Sequence, residues 1–228
     1  MKKLIETDED KQLNNTAGID YHHEYYTKWK TKSICRGLLW ESCDLYAELP
    51  MFESTYRHYH TLRKHKTFKD EDFRKHAVNV IKEFYNFFAP HVDMWPMFGT
   101  LLGIVRDNDL ISHDDDVDFG VFQKDEAKII ELLDQIHDHN GFKLIRNQFQ
   151  TLFSVYKDQV LIDLYVYEEI KDGDYHMLHQ GSRDAYNLSA KETFPLKEID
   201  FIGTKMKCIN DPISFLERYY GKDWQTPK

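Results

Sequence analysis

Asp116 and Asp118 alternate with Val117 and Phe119 in the stretch GTLLGIVRDNDLISHDDDVDFGVF, which begins at Gly99. Carboxylates at i and i+2 of a strand project from one face, about 6–7 Å apart, while the residues between them enter a core. Like charges held there repel, and the arrangement is stable when one is protonated or a divalent cation sits between them. The pattern is read as a Mg²⁺ or Mn²⁺ site. Asp163 interrupts the apolar run Val160, Leu161, Ile162, Leu164, Tyr165 and Val166, where a lone carboxylate is costly. If its strand pairs beside the one carrying Asp116 and Asp118, three oxygen donors converge, as a hard cation with phosphate ligands requires. Upstream, Gly99-Thr100 follows Met94, Trp95, Met97 and Phe98 and precedes Leu101, Leu102, Ile104 and Val105. This reads as a strand-to-helix turn whose backbone N–H groups face a phosphate.

Other polar residues have two readings. Asp114 and Asp115 belong either to the site or to a solvated loop. A structural Ca²⁺ loop is disfavoured, because the spacing lacks the Gly and closing Glu of an EF-hand. Arg106 either contacts donor phosphates or is a helix-end cation favoured by the macrodipole. His176, His179 and Arg183, within 172–187, either line a substrate pocket or sit on exposed loops. Tyr220-Gly221 reads as a helix end, with Gly in the left-handed conformation, and is assigned no chemistry.

The elements that must position these residues follow from periodicity. Phe73, Ala77, Val80, Ile81, Phe84, Phe87 and Phe88 predict a core-facing helix over 70–88, before Pro90. Strand 94–98, helix 100–106 and strand 117–122 carry the first part of the site. A second amphipathic helix is expected over 124–137 through Ala127, Ile130, Leu133 and Ile136, ending at Gly141. Strands are expected at 142–145, 151–156, 160–167 and 201–208, and a last helix at 212–220. Residues 1–19 are polar. In the aromatic-rich segment 21–59, Tyr21, Tyr25, Tyr26 and Trp29 have helical spacing. They form either a packing face or an aromatic cage for a quaternary ammonium such as choline.

Gly-Thr at a helix start, then an acidic run with alternating Asp, then a second buried-strand Asp, resembles the nucleotidyltransferase fold of DNA polymerase beta-like enzymes. The likeness is closer to the LicD family, which includes bacterial phosphocholine transferases and animal fukutin and fukutin-related proteins. Its members carry GTLLG-x-VR, a short loop and DDDxD, matched here by 99–106 and 114–118. Phe194-Pro195-Leu196, Phe201-Ile202-Gly203, Asp211-Pro212, Phe215-Leu216 and Tyr219-Tyr220-Gly221-Lys222-Asp223-Trp224 resemble its closing block. The chain departs at Asp107 and at Ser112-His113, where many members have another polar residue and Pro-Trp; these loop positions bear on the substrate. The resemblance spans about 75–228 and implies an α+β nucleotidyltransferase-like domain over 71–228, with mixed sheet and flanking helices; residues 1–70, read from composition and spacing as a polar N-terminus and aromatic-rich helical extension, carry no such resemblance. It further implies that Asp116 and Asp118 hold the metal, that Asp163 is the third ligand or the base, and that Gly99, Thr100 and Arg106 bind the donor. The implied reaction moves a phospho-alcohol from a CDP-alcohol to a glycan hydroxyl and releases CMP, decorating capsule, lipopolysaccharide or teichoic acid. Choline, ethanolamine, glycerol and ribitol all remain open as the alcohol.

Composition sets outer limits. The 228 residues carry a net charge of −9, with a pI near 5.7, so no broad basic surface exists for nucleic acid. Cys35, Cys43 and Cys208 form no CxxC pair and suit a reducing compartment. The start MKKLIETDEDKQLNN lacks the apolar stretch of a signal peptide, and no apolar run reaches the length of a membrane span. A cytoplasmic enzyme is expected, one that meets a glycan or lipid-linked glycan acceptor with at most peripheral contact to the inner leaflet. Three alternatives remain: NMP transfer from an NTP to a small molecule, sugar transfer through Asp-x-Asp, and an inactive binding module of the same fold.

Overall fold

A computed structural model of the chain describes residues 66–147, 151–178 and 184–227. The aromatic segment with Trp29, the extension up to residue 65, Cys35, Cys43, His179 and Arg183 lie outside the described residues. Asp70 caps helix α1 (Glu71–Phe88), its carboxylate accepting from the N–H groups of Asp72 and Phe73 at 3.1 and 3.0 Å, donors that a helix start leaves open. Phe73, Ala77, Val80, Ile81, Phe84 and Phe88 are buried as the periodicity requires. Tyr85 joins them, whereas Phe87 is only half-buried, because one step along a helix turns the side chain by about 100°.

The main sheet has the order β1-β2-β5-β4-β3. Strand β1 (Met94–Pro96) runs antiparallel to β2 (Asp116–Phe122), and β2 runs parallel to β5 (Val160–Lys171). The remaining pairs, β5 with β4 (Leu152–Lys157) and β4 with β3 (Lys143–Asn147), are antiparallel. The parallel pair needs a long crossover, and helix α3 (Glu126–Asn140) with β3 and β4 supplies it. Strand β6 (Asp174–Met177) extends the far end of β5 within the stretch expected as loop.

Three hairpins close through pairs of residues with positive φ: Asp158-Gln159, Asp172-Gly173 and Ile202-Gly203. Two positive φ values in succession match the right-handed twist of the flanking strands. The third pair corrects the expected single strand over 201–208, which is the hairpin β7 (Lys197–Phe201) and β8 (Thr204–Cys208). Helix α3 corrects a second expectation. Its buried stripe is Ile129, Leu132, Leu133 and Ile136, with Ala127 exposed. A strict three-residue spacing drifts around a helix of 3.6 residues per turn, so the true stripe mixes threes and fours.

The sheet has two covered faces. Val117, Phe119, Val121, Ile162, Leu164 and Val166 are fully buried on one, where Tyr85 of α1 meets Phe119 with ring centroids 5.9 Å apart. The other carries the acids and is covered by α2 (Phe98–Asp107) and, after the single helical turn α4 (Ala190–Thr193), by α5 (Pro212–Tyr220); their Leu101, Phe215 and Leu216 share a core with Trp95, Phe122 and Tyr167. Among the described residues no helix is long and apolar enough to cross a membrane.

Candidate active site

Asp118 of β2 and Asp163 of β5 are direct partners in the parallel register. Neighbouring strands lie about 4.8 Å apart and side chains alternate between faces, so both carboxylates leave the same face, with Asp116 two residues along on that face. Asp163 is 4% exposed, and its partner on the other side, in β4, is the buried Ser154. Asp116 and Asp118 are half-buried. Three oxygen donors from two adjacent strands are of the type that could hold a hard divalent cation. Among the described residues no three His, Cys, Asp or Glu side chains form a ready-made metal-binding group. What the fold fixes is the backbone position of each donor.

Helix α2 sets the depth of Asp118. The Asp118 N–H donates to Thr100 Oγ1 at 2.8 Å, and its C=O accepts from the Met97 N–H at 2.9 Å. Thr100 is buried, so it acts as a clamp on the strand beneath the first turn of the helix. Met97, at the cap position, makes no side-chain capping bond. Three glycines permit this packing. A Cβ on Gly99 would lie 2.5 Å from Asp114 Oδ2, and one on Gly120 would lie 2.5 Å from the Trp95 ring. On Gly103 it would collide with the Asp109 carbonyl oxygen, where the chain turns back through Asn108, whose φ is 52°.

Arg106 closes the last turn of α2 and forms a two-pronged ion pair with Asp107, Nε and Nη2 reaching its carboxylate at 3.0 and 2.7 Å. That pairing holds the guanidinium firmly charged. Asp114 rests its carboxylate over Gly99. Burial pushes the Asp114 carboxyl above its usual range, with Asp115 adding to the shift and His113 and Arg106 opposing it. Tyr220, at the end of α5, lies within electrostatic reach of both Asp118 and Asp114. Burial first, then Tyr219 and those carboxylates, hold its phenol protonated. Arg106, Tyr220, His113 and Trp224 line a pocket of about 170 Å³ together with Leu102, Ile111 and Thr226.

A family model described as LicD/FKTN/FKRP, nucleotidyltransferase domain, matches residues 91–211, just over half of the chain, a span that includes Gly99, Thr100, Arg106, Asp116, Asp118 and Asp163. The chain belongs to the LicD family. An uncharacterised protein of Rickettsia typhi is 28% identical over 130 residues, covering 57% of this chain and 40% of that protein. Human ribitol-5-phosphate transferase FKTN is 28% identical over 142 residues, 60% of this chain and 30% of its own length. These alignments span less than half of either relative's own length. Among solved structures, the lincosamide antibiotic adenylyltransferase LnuA, with lincomycin bound, superposes with a TM-score of 0.42 at 14% identity, covering 59% of this chain and 78% of that one.

Asp116, Asp118 and Asp163 share one face, Gly99 and Thr100 open the helix beside them, and Arg106 stands two turns further along. His176 lies in β6 and is half-buried there. Tyr220 and Trp224, assigned no chemistry from sequence, join the site because α5 packs on α2. Tyr220 precedes Gly221, which ends the helix with φ 92° and ψ 170°, a glycine conformation that is not the left-handed helical one expected there. The usable signal was the aromatic spacing around Gly221, which says only that these rings are near one another.

Proposed function

We propose that this LicD chain is a metal-dependent transferase that moves a phospho-alcohol from a CDP-alcohol to a glycan hydroxyl and releases CMP. The observation that carries the reading is the in-register Asp118–Asp163 pair, with Asp116 on the same face and the opening turn of α2 alongside. The name of the fukutin relatives, ribitol-5-phosphate transferase, supports the phospho-alcohol class, although the match covers only part of those proteins.

In this reading the acceptor oxygen forms a bond to the phosphorus that bears the alcohol. The bridging P–O bond to CMP breaks, CMP leaves with the electron pair, and a carboxylate takes the hydroxyl proton. Asp116 and Asp118 would hold the metal, with Asp163 as third ligand or as the base. A bound divalent ion supplies neutralisation of charge on the phosphoryl oxygens. The chain's own contribution is placement: Thr100 and Met97 hold the Asp118 peptide, and the first-turn N–H groups of α2 face a phosphate. Arg106 contributes positive charge along the same helix.

Thermal unfolding in the presence of CMP, CTP, a UDP-sugar, CDP-choline, CDP-ethanolamine, CDP-glycerol and CDP-ribitol, with and without Mg²⁺ or Mn²⁺, tests this. Ligand at roughly a hundredfold its Kd adds about 2.7 kcal/mol of stability. Metal-dependent stabilisation by a CDP-alcohol is the expected result. The family's description as a nucleotidyltransferase domain favours a second reading, NMP transfer. Stabilisation by CTP alone, with pyrophosphate released on turnover, would select it.

A further inference from the structure

One face of α2 links the acids to the pocket at its far end. Gly99 lies under the Asp114 carboxylate, one turn before Leu102 and two turns before Arg106, and these positions share a side of the helix. Leu102 and Arg106 line the pocket, and α5 and the segment after it close it with Tyr220, Trp224 and Thr226. Tyr220 is common to both places, bordering the pocket while lying near Asp118 and Asp114. From Gly99 to Leu102 and Arg106 the helix rises by about 4.5 and 10.5 Å, a span on the scale of a nucleotide.

We infer that the pocket between α2 and the C-terminal segment receives the pyrimidine base of the nucleotide donor, an inference that rests on the transferase reading above. Its size and walls carry the assignment. At about 170 Å³ it is smaller than the several hundred Å³ of a whole-ligand cleft, so it holds one end of a substrate, a single ring. Leu102 and Ile111 are buried apolar residues, and Trp224 is 5% exposed. A pyrimidine has two apolar faces and keeps its polar atoms in the ring plane, which suits apolar and aromatic walls. Arg106, Tyr220 and Thr226 then meet the ring edge with donors. A polyol such as glycerol or ribitol carries hydroxyls all round, and some would be buried against Leu102 and Ile111 without partners.

The test uses the full chain with CMP, AMP and ribose 5-phosphate as probes, read by calorimetry and by tryptophan fluorescence. CMP is expected to quench tryptophan emission while ribose 5-phosphate does not, and the quench should vanish in Trp224→Phe, which keeps an aromatic wall. Leu102→Phe, which fills the pocket, should weaken CMP at least tenfold and leave ribose 5-phosphate within about twofold. Leu102→Met, close in volume, should behave as the natural protein. AMP should bind more weakly than CMP. If Leu102→Phe does not fold, the Trp224-dependent quench decides alone. CMP that binds without that quench, AMP that binds as tightly as CMP, or an equal loss of CMP and ribose 5-phosphate in Leu102→Phe would overturn the base pocket and leave the transferase reading standing. Failure of CMP and every CDP-alcohol to bind would overturn both.

Discussion

Asp163 is the residue where folding and chemistry conflict most: a carboxylate 4% exposed on a strand whose neighbours Ile162 and Leu164 are fully buried. Such a group persists when its surroundings compensate its charge, and its register partner Asp118 is of the same sign. Replacing either acid by its amide removes charge while keeping shape. Asp118→Asn and Asp163→Asn are each expected to lower turnover at least about a hundredfold with the circular dichroism spectrum unchanged. Near-normal turnover in both, measured on the donor identified by thermal shift, would remove the catalytic assignment. Thr100 allows a sharper separation of placement from chemistry. Thr100→Val leaves the Asp118 N–H without its 2.8 Å acceptor, at a cost of about 1–3 kcal/mol, and should reduce turnover with it. Thr100→Ser returns the oxygen and should restore both; equal defects in the two variants, seen in urea midpoints, would contradict the clamp.

Among the elements, the start of α3 carries a pH dependence unrelated to the acids of the site. Glu126 Oε1 is buried and meets no hydrogen-bond donor among the described residues, and burial pushes the carboxyl up to about 7. A folded-state value above the unfolded one means that the stability associated with the protonated group is fully present below the unfolded value of 4.5. It is lost as pH rises through about 7. The loss is at most on the order of 3 kcal/mol, trimmed by the helix N-terminus, which favours a carboxylate in the first turn. Glu126→Gln should therefore match the natural protein near pH 4.5 and exceed it at pH 8. Urea midpoints of both proteins across that range check this, and a pH-independent difference would show that Glu126 is solvated in the folded state. The same helix shows how far local pattern reaches. Its existence followed from periodicity, but its buried stripe did not, since the short 3₁₀ turn Gln123–Asp125 and the packing on the sheet decide which side faces inward.

The described part of the molecule is one compact unit that extends beyond the span the family model covers. Helix α5 and Trp224 lie after residue 211, yet Phe215 and Leu216 are fully buried and Trp224 is nearly so. Burying three such side chains contributes roughly 5–9 kcal/mol, comparable to the whole stability of a typical domain. A chain cut after Asp211 is accordingly expected to lose cooperative thermal unfolding. A sharp transition in that truncated chain, within a few degrees of the natural one, would show that α5 is peripheral.

Sequence alone determined the nature and order of most elements and the shared face of Asp116 and Asp118, because burial along a single helix or strand is written in local periodicity; the turn expected at Gly99 falls earlier, since β1 ends at Pro96 and α2 already begins at Phe98. It also determined the family, because the motifs keep their order. It could not show that β2 and β5 pair in parallel with Asp118 opposite Asp163, 45 positions away. Nor could it show that 201–208 bends into a hairpin at two residues of positive φ, or that Tyr220 and Trp224 come to lie beside Arg106. Those outcomes belong to the tertiary structure alone, since strand pairing and helix docking are chosen by the burial of the whole sheet, and no single segment carries that information.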